Sequence, residues 1–184
     1  MNMACSSQTG QVSPKPRAYP YVDFPNKTYR AYHSPACPIT FMYPEYAEIN
    51  QTKPSDTLPG VQCWFNVYYP QFKATVHCSY NAIADNTQFE TMVEDAFEIA
   101  DQVNKRSNFT NEQVVQLPNG SAALIFDFEG PAASPIQFFV TDSLNHFFKG
   151  SLYYQVAHHP DSLGIITQFI KQDIHQMMST FQWK

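Results

Sequence analysis

The chain has 184 residues, a mass of 21.0 kDa and a net charge of −5. A folded protein of that mass exposes roughly 9,000 Å² and buries about 70% of its unfolded surface, so one domain stands without metal or disulfide staples. Hydrophobic residues at 43% and charged residues at 15% exclude a disordered chain, and an acidic pI near 5.6 excludes a basic nucleic-acid footprint. No apolar run approaches the ~20 residues of a membrane-spanning helix, and no cluster of Lys and Arg resembles a polybasic membrane patch. The 15 Phe and 11 Tyr, set against 6 Gly and 14 Pro, predict a strand-rich chain with stiff connections.

The first residues, Met1-Asn-Met-Ala-Cys5, read like the stub of a secretion signal that ends at a lipid-modified cysteine. Ala4 fits the small residue expected before such a Cys, but Asn2 stands where a Leu is expected. A charged start and an apolar run are missing as well. Cys5 is therefore either a lipidation site or a surface thiol. From Ser6 to Pro38, Pro14, Pro16, Pro20, Pro25, Pro35 and Pro38 exclude a regular helix, because each ring fixes its own φ and pushes the preceding residue toward extended geometry. Tyr19, Tyr21, Phe24, Tyr29 and Tyr32 make this arm too aromatic for a plain solvated linker. It either packs across the domain or docks a partner. Residues 6–18 span at most roughly 45 Å when extended, a short tether above a bilayer.

Strand patterning begins at Ile39, with Ile39–Tyr43 and Tyr46–Ile49 reading as one strand interrupted by Pro44. A polar loop from Asn50 to Gly60 follows. Cys63–Tyr69 and Phe72–Ser79 then flank Pro70-Gln71. A two-residue loop would pair Tyr69 with Phe72, Val67 with Ala74, Phe65 with Val76 and Cys63 with Cys78. Those residues make a coherent apolar face, leaving Trp64, Asn66, Tyr68, Lys73, Thr75 and His77 on the other. Pro70-Gln71 is not a favoured tight-turn pair, so a longer loop is the alternative.

Thr87 and Glu90 have capping-box spacing and open a helix with Phe89, Val93, Ala96, Phe97, Ala100 and Val103 on one stripe. Gln113–Leu117, Ala122–Glu129, Ile136–Thr141 and His146–Gln155 form a meander. A last helix, capped by Asp161 or Ser162, carries Ile166, Phe169, Ile170, Ile174, Met177 and Phe181 as its buried stripe. The fold class is α+β: a mostly antiparallel sheet of six to seven strands with two long amphipathic helices packed on it. Residues 1–36 are assigned to a lipid-attachment stub and Pro/Tyr arm, and residues 37–184 to a single domain.

Chemistry-bearing motifs are sparse. No nucleophile elbow, zincin motif, P-loop or dinucleotide fingerprint occurs. His158-His159 near Asp161 could ligate a metal or sit in a solvated turn. His77 and Cys78 point to opposite sheet faces, so they do not share a metal without a bulge. Asp127 and Glu129 alternate with Phe126 and Phe128, as paired catalytic carboxylates or as the polar face of a half-buried sheet. Trp64 and Tyr68 are a sugar-stacking platform, a protein contact, or packing beneath a helix or the arm. For the cysteines, the hairpin favours a Cys63–Cys78 bridge, with two reduced core thiols or a Cys37–Cys63 bridge as alternatives.

Pro14-Lys-Pro-Arg-Ala-Tyr19, Asp23-Phe-Pro25, Cys37-Pro-Ile-Thr-Phe41, Tyr43-Pro44, Trp64 through Lys73 and His77-Cys-Ser-Tyr80 resemble the gliding-motility lipoprotein GldD family of Bacteroidetes. The resemblance covers essentially the whole chain and implies a lipid anchor at Cys5. It also implies a periplasm-facing position in the cell envelope, no enzymatic activity and no cofactor. The implied role is assembly or stabilisation within the gliding-motility and type IX secretion machinery. Its implied partners are other membrane proteins of that machinery, GldE among them. The order of elements separately resembles the Mog1/PsbP-like α/β/α sandwich. Pro16, Arg17, Tyr19, Trp64 and Tyr68 are the candidate partner-binding residues. An envelope protein that binds a small ligand or glycan is the alternative function, and a hydrolase the third.

Overall fold

The computed structural model describes residues 22–51, 62–155 and 160–184, the side chains of 160–162 excepted. A short strand β1 (Tyr29–Tyr32) pairs antiparallel with β2 (Ile39–Pro44), and a turn closed by the Ala47 N–H on the Pro44 carbonyl then carries the chain into a second sheet. Pro44 therefore does more than interrupt one strand: β2 and β3 (Glu48–Gln51) belong to different sheets. The larger sheet continues through β4 (Cys63–Tyr69) and β5 (Ala74–Ala82). Helix α1 (Asn86–Asn104) follows, then β6 (Phe109–Gln116), β7 (Ala122–Glu129), β8 (Ile136–Thr141) and β9 (His146–Tyr154). Helix α2 (Pro160–Ser179) and β10 (Gln182–Trp183) complete the chain. Seven strands pair antiparallel in the order β3-β4-β5-β9-β8-β7-β6, while β10 joins β2 in a small three-stranded sheet.

The α+β class and the two helices on a seven-stranded antiparallel sheet agree with the sequence pattern. The helices lie on opposite faces. Under α2 and the small sheet, Phe41, Phe65, Phe148 and Phe181 stack in a fully buried core that also takes in Tyr32 and Ile170. Under α1, Phe126, Phe128, Phe139 and Phe147 form a separate, smaller cluster closed by Ala100. Helix α1 sits lightly there: Ala100 is its one buried residue, and Phe97 stays 42% exposed although it meets Phe126 edge-on. Its N-terminus is capped two residues earlier than the Thr87/Glu90 spacing predicts. The Asp85 carboxylate accepts from the Gln88 N–H at 2.8 Å, and the Gln88 side chain accepts from the Ala84 N–H at 2.7 Å. Asp and Gln three apart thus form a variant of the capping box in which the Gln reaches back to the residue before the N-cap.

The β4–β5 hairpin departs from its expected pairing. Pro70–Phe72 forms one 3₁₀ turn, and Lys73, at φ 46°, closes it in the left-handed region, so the loop takes four residues. Tyr69 pairs with Ala74, Phe65 with Cys78 and Cys63 with Tyr80. A shift of two preserves which face each side chain occupies, because the strand period is two. It also corrects the Cys63–Cys78 expectation: Cys63 is bonded to Cys37, with Cα atoms 5.5 Å apart, and Cys78 is a buried free thiol. Burial pushes that thiol well above its ordinary pKa, so it is inert.

The fold also takes in residues upstream of the expected domain start at 37. Phe24 stacks on Phe169 of α2 at 4.6 Å and touches Phe72. The Lys27 ammonium donates to Asp173 at 2.7 Å while lying over the Phe169 ring. Asp173, 1% exposed, also accepts from the Tyr29 hydroxyl at 2.8 Å and the Tyr46 hydroxyl at 2.7 Å. One carboxylate on α2 thus ties the incoming segment, β1 and the β2–β3 turn to the core. Burial first, and the Asp173 hydrogen bond and charge next, push both phenols well above their usual pKa.

Candidate docking face and adjoining groove

The outward side chains of the sheet divide into two halves. Those of β7, β8 and the start of β9 are largely phenylalanines, and α1 covers them. Those of β4, β5 and the rest of β9 are polar or amphipathic, and no described element covers them. Cross-strand pairing arranges the bare half in rows: Trp64, Ser79 and Lys149; then Asn66, His77 and Ser151; then Tyr68, Thr75 and Tyr153. The apolar outward patch decides where the amphipathic helix docks, and among the described elements the docked helix leaves the remaining face open.

Trp64 and Tyr68 are half-buried on this face and Tyr153 is 37% exposed. The His77 ring lies 5.5 Å from that of Tyr153, and its Nδ1 is 2.7 Å from Asn66 Oδ1. With that oxygen accepting, Nδ1 carries the proton and Nε2 is left as an acceptor. Burial holds the His77 pKa below the usual histidine range. His175 on α2 is lowered too, by burial and then by the Lys171 charge, with Asp127 opposing. A lowered histidine pKa contributes stability that is present above ~6.5 and lost as pH falls through the folded value. Urea midpoints should therefore fall as pH drops from 7 to 5, and His77→Gln should flatten part of that slope. An unchanged slope in the variant would remove His77 from the account.

A cavity of about 490 Å³ opens between this face and the edge of α1, lined by Trp64, His77, Ser79, Ile99, Lys149, Ser151 and Tyr153. Lys149 and the Ile99 edge have no signal in a single strand or helix; they meet only once register and helix placement are known. A second cavity of about 330 Å³ lies on the opposite face of the sheet, beside α2, lined by Asp127, Glu129, Tyr154 and Thr167. There Asp127 is ion-paired with Lys171 of α2, so the Asp127–Glu129 pair is not a pair of unengaged carboxylates. Burial pushes the Tyr154 phenol up to about 12, its hydrogen bond with Thr167 opposing. Among the described residues no three His, Cys, Asp or Glu side chains form a metal-binding group. His77 faces outward and Cys78 inward, as the alternation required.

Cys5, Pro16, Arg17 and Tyr19, together with His158 and His159, lie outside the described residues. The described chain enters at Val22 beside the β4–β5 turn, where the Gln71 side-chain amide donates to the Asp23 carbonyl. Tyr68, in the row next to that turn, therefore shares one end of the sheet with the arm's entry. Trp64 is four residues further along β4, ~13 Å away.

The fold is an α/β/α sandwich whose β4–β5–β9 face no described element covers. A solved structure of cyanobacterial PsbP (CyanoP) from Synechocystis sp. PCC 6803 matches it with a TM-score of 0.50 and 12% identity. That match covers 90% of this chain and 98% of that one, and at such identity it shows the fold alone. No curated protein sequence matches the chain significantly. The family model described as "Gliding motility lipoprotein GldD" matches residues 9–183, and the chain belongs to that family. Membership makes it a gliding-motility lipoprotein associated with a membrane of the cell envelope; no described helix is long and apolar enough to cross one.

Proposed function

We propose that the protein is a non-enzymatic assembly or stabilising component of the gliding-motility and type IX secretion machinery. It is held at a membrane by lipid on Cys5 and faces the periplasm. The observation that carries the docking role is the bare face of β4, β5 and β9, with Tyr68 at the end where the N-terminal arm joins the domain. Tyr, Trp and Arg most often dominate interface energetics, and prolines reduce the entropy lost when an extended arm docks. Pro16, Arg17, Tyr19, Trp64 and Tyr68 form the contact with an integral membrane partner of the same machinery, such as GldE. The Cys37–Cys63 bridge supports an oxidising compartment.

Two measurements test this reading. Cys5→Ala in the full-length precursor should move the protein from the membrane to the soluble fraction, since two acyl chains hold far more firmly than one. A variant that stays wholly membrane-bound would place the anchor elsewhere. Substituting Trp64 and Tyr68 by Ser should reduce partner capture from detergent-solubilised membranes at least about tenfold, a loss of ~1.4 kcal/mol, with the melting temperature little changed. Capture unchanged per folded molecule would take the contact off this face.

A further inference from the structure

We propose that the groove between α1 and the bare sheet face is a binding site for a carbohydrate carrying a carboxylate, of the uronic-acid class. The carboxylate would seat between Lys149 and Gln137, and the sugar ring toward Trp64. This goes beyond the docking reading and does not depend on it. Gln137 is 5% exposed, yet its Nε2 has no hydrogen-bond partner among the described residues. Buried donors left unsatisfied are rare and costly, so this one calls for an acceptor. It lines a recess of about 30 Å³ beneath Ile99 that shares Ile99, Lys149 and Ser151 with the larger groove. Lys149 has no ion-pair partner among the described residues, in a chain whose net charge is −5.

Register supplies the rest. Gln137 pairs with Ser151, and Lys149 sits two residues before Ser151, so the two donors are diagonal neighbours on adjacent strands. An oxygen acid placed between them meets a cation and an amide donor together. Trp64 is two strands from Lys149, across Ser79, a separation of ~9.5 Å that leaves room for one sugar ring. His77, diagonal to both, offers an acceptor to a ligand hydroxyl, because Asn66 fixes its proton on Nδ1. A cation and a neutral donor at one end, an acceptor in the middle and an aromatic face at the other describe a hydroxylated ring acid better than an apolar ligand. The groove's 490 Å³ lies within the usual range for small-molecule sites.

The test is a titration of the isotope-labelled full chain with sodium methyl glucuronoside, followed by NMR, with neutral methyl glucoside and sodium acetate as comparators. The glucuronoside should shift the Trp64 indole, Ser151 amide and Gln137 side-chain resonances saturably, and the glucoside should bind about tenfold more weakly. Lys149→Met should remove that preference. Gln137→Leu should weaken glucuronoside binding while raising the melting temperature, since it deletes an unsatisfied buried amide without opening a cavity; a merely structural glutamine would not separate the two. Absence of saturable shifts in the groove, equal binding of the glucoside, or acetate reproducing the whole pattern would each overturn the proposal. No partner protein is present, so a negative titration leaves the docking reading standing.

Discussion

Replacing Asp173 by Ala is expected to destabilise the protein by about 3–5 kcal/mol, the range for removing one member of a buried charged cluster. At about 2–4 °C per kcal/mol for a chain of this size, the melting temperature should fall by about 10 °C. The buried carboxylate accepts from Lys27, Tyr29 and Tyr46, so its removal leaves the part-exposed ammonium only the Phe169 carbonyl among the described residues, and two half-buried phenols without their acceptor. Nearby Tyr69 also holds a buried hydroxyl with no partner among the described residues. Lys27→Met with Asp173→Leu should recover the ion pair's share of the loss, because deleting a buried pair costs far less than breaking it, and leave the share of the two phenols. A loss under about 1 kcal/mol for Asp173→Ala, by urea denaturation, would mean that the segment from Phe24 to Tyr32 is held by ring packing alone.

Breaking the Cys37–Cys63 bridge should have an effect of similar size. It spans 26 residues, and the chain-entropy relation gives about 3.5 kcal/mol for a loop of that length. The bridge joins the start of β2 to the start of β4, tying the small sheet to the large one next to β3. Cys37→Ala and a reducing agent should lower the melting temperature equally, and Cys78→Ala should leave the drop on reduction unchanged. Mass mapping of non-reduced peptides that linked Cys63 to Cys78 instead would contradict the register described above.

Much of this architecture was legible residue by residue, and the failures share a cause. The alternation in Cys63–Tyr69 and the 3.6-residue stripe of α2 are local patterns, and both emerge as expected: Ile166, Ile170, Ile174 and Met177 are buried. The hairpin register was off by two because it depends on how many residues Pro70 and its neighbours consume, and neither flanking strand encodes that. Face assignment survived the error while the disulfide partner did not, since only face depends on period two. Strand β6 extends beyond the expected Gln113–Leu117 segment at its start because, as an exposed edge strand with Val114 67% exposed, it has no inward pattern to show. β10 was missed because two residues carry no period at all, although Trp183 stacks on His146 and donates to Ser121. At the candidate site, Trp64 and Tyr68 were visible from alternation alone. Lys149, Gln137 and Ile99 join it from β9, β8 and α1, a convergence written in sheet order and not in any one segment.

The central claim is that the bare sheet face contacts a membrane component of the gliding machinery. Site-specific photo-crosslinking in intact cells tests it most directly, with the photoreactive residue placed at Tyr68 and, for comparison, at Gln172 on the exposed side of α2. The expected result is a discrete adduct with an integral membrane protein from position 68 and none from position 172. Adducts from 172 but not 68 would place the partner on the helical face and contradict the account.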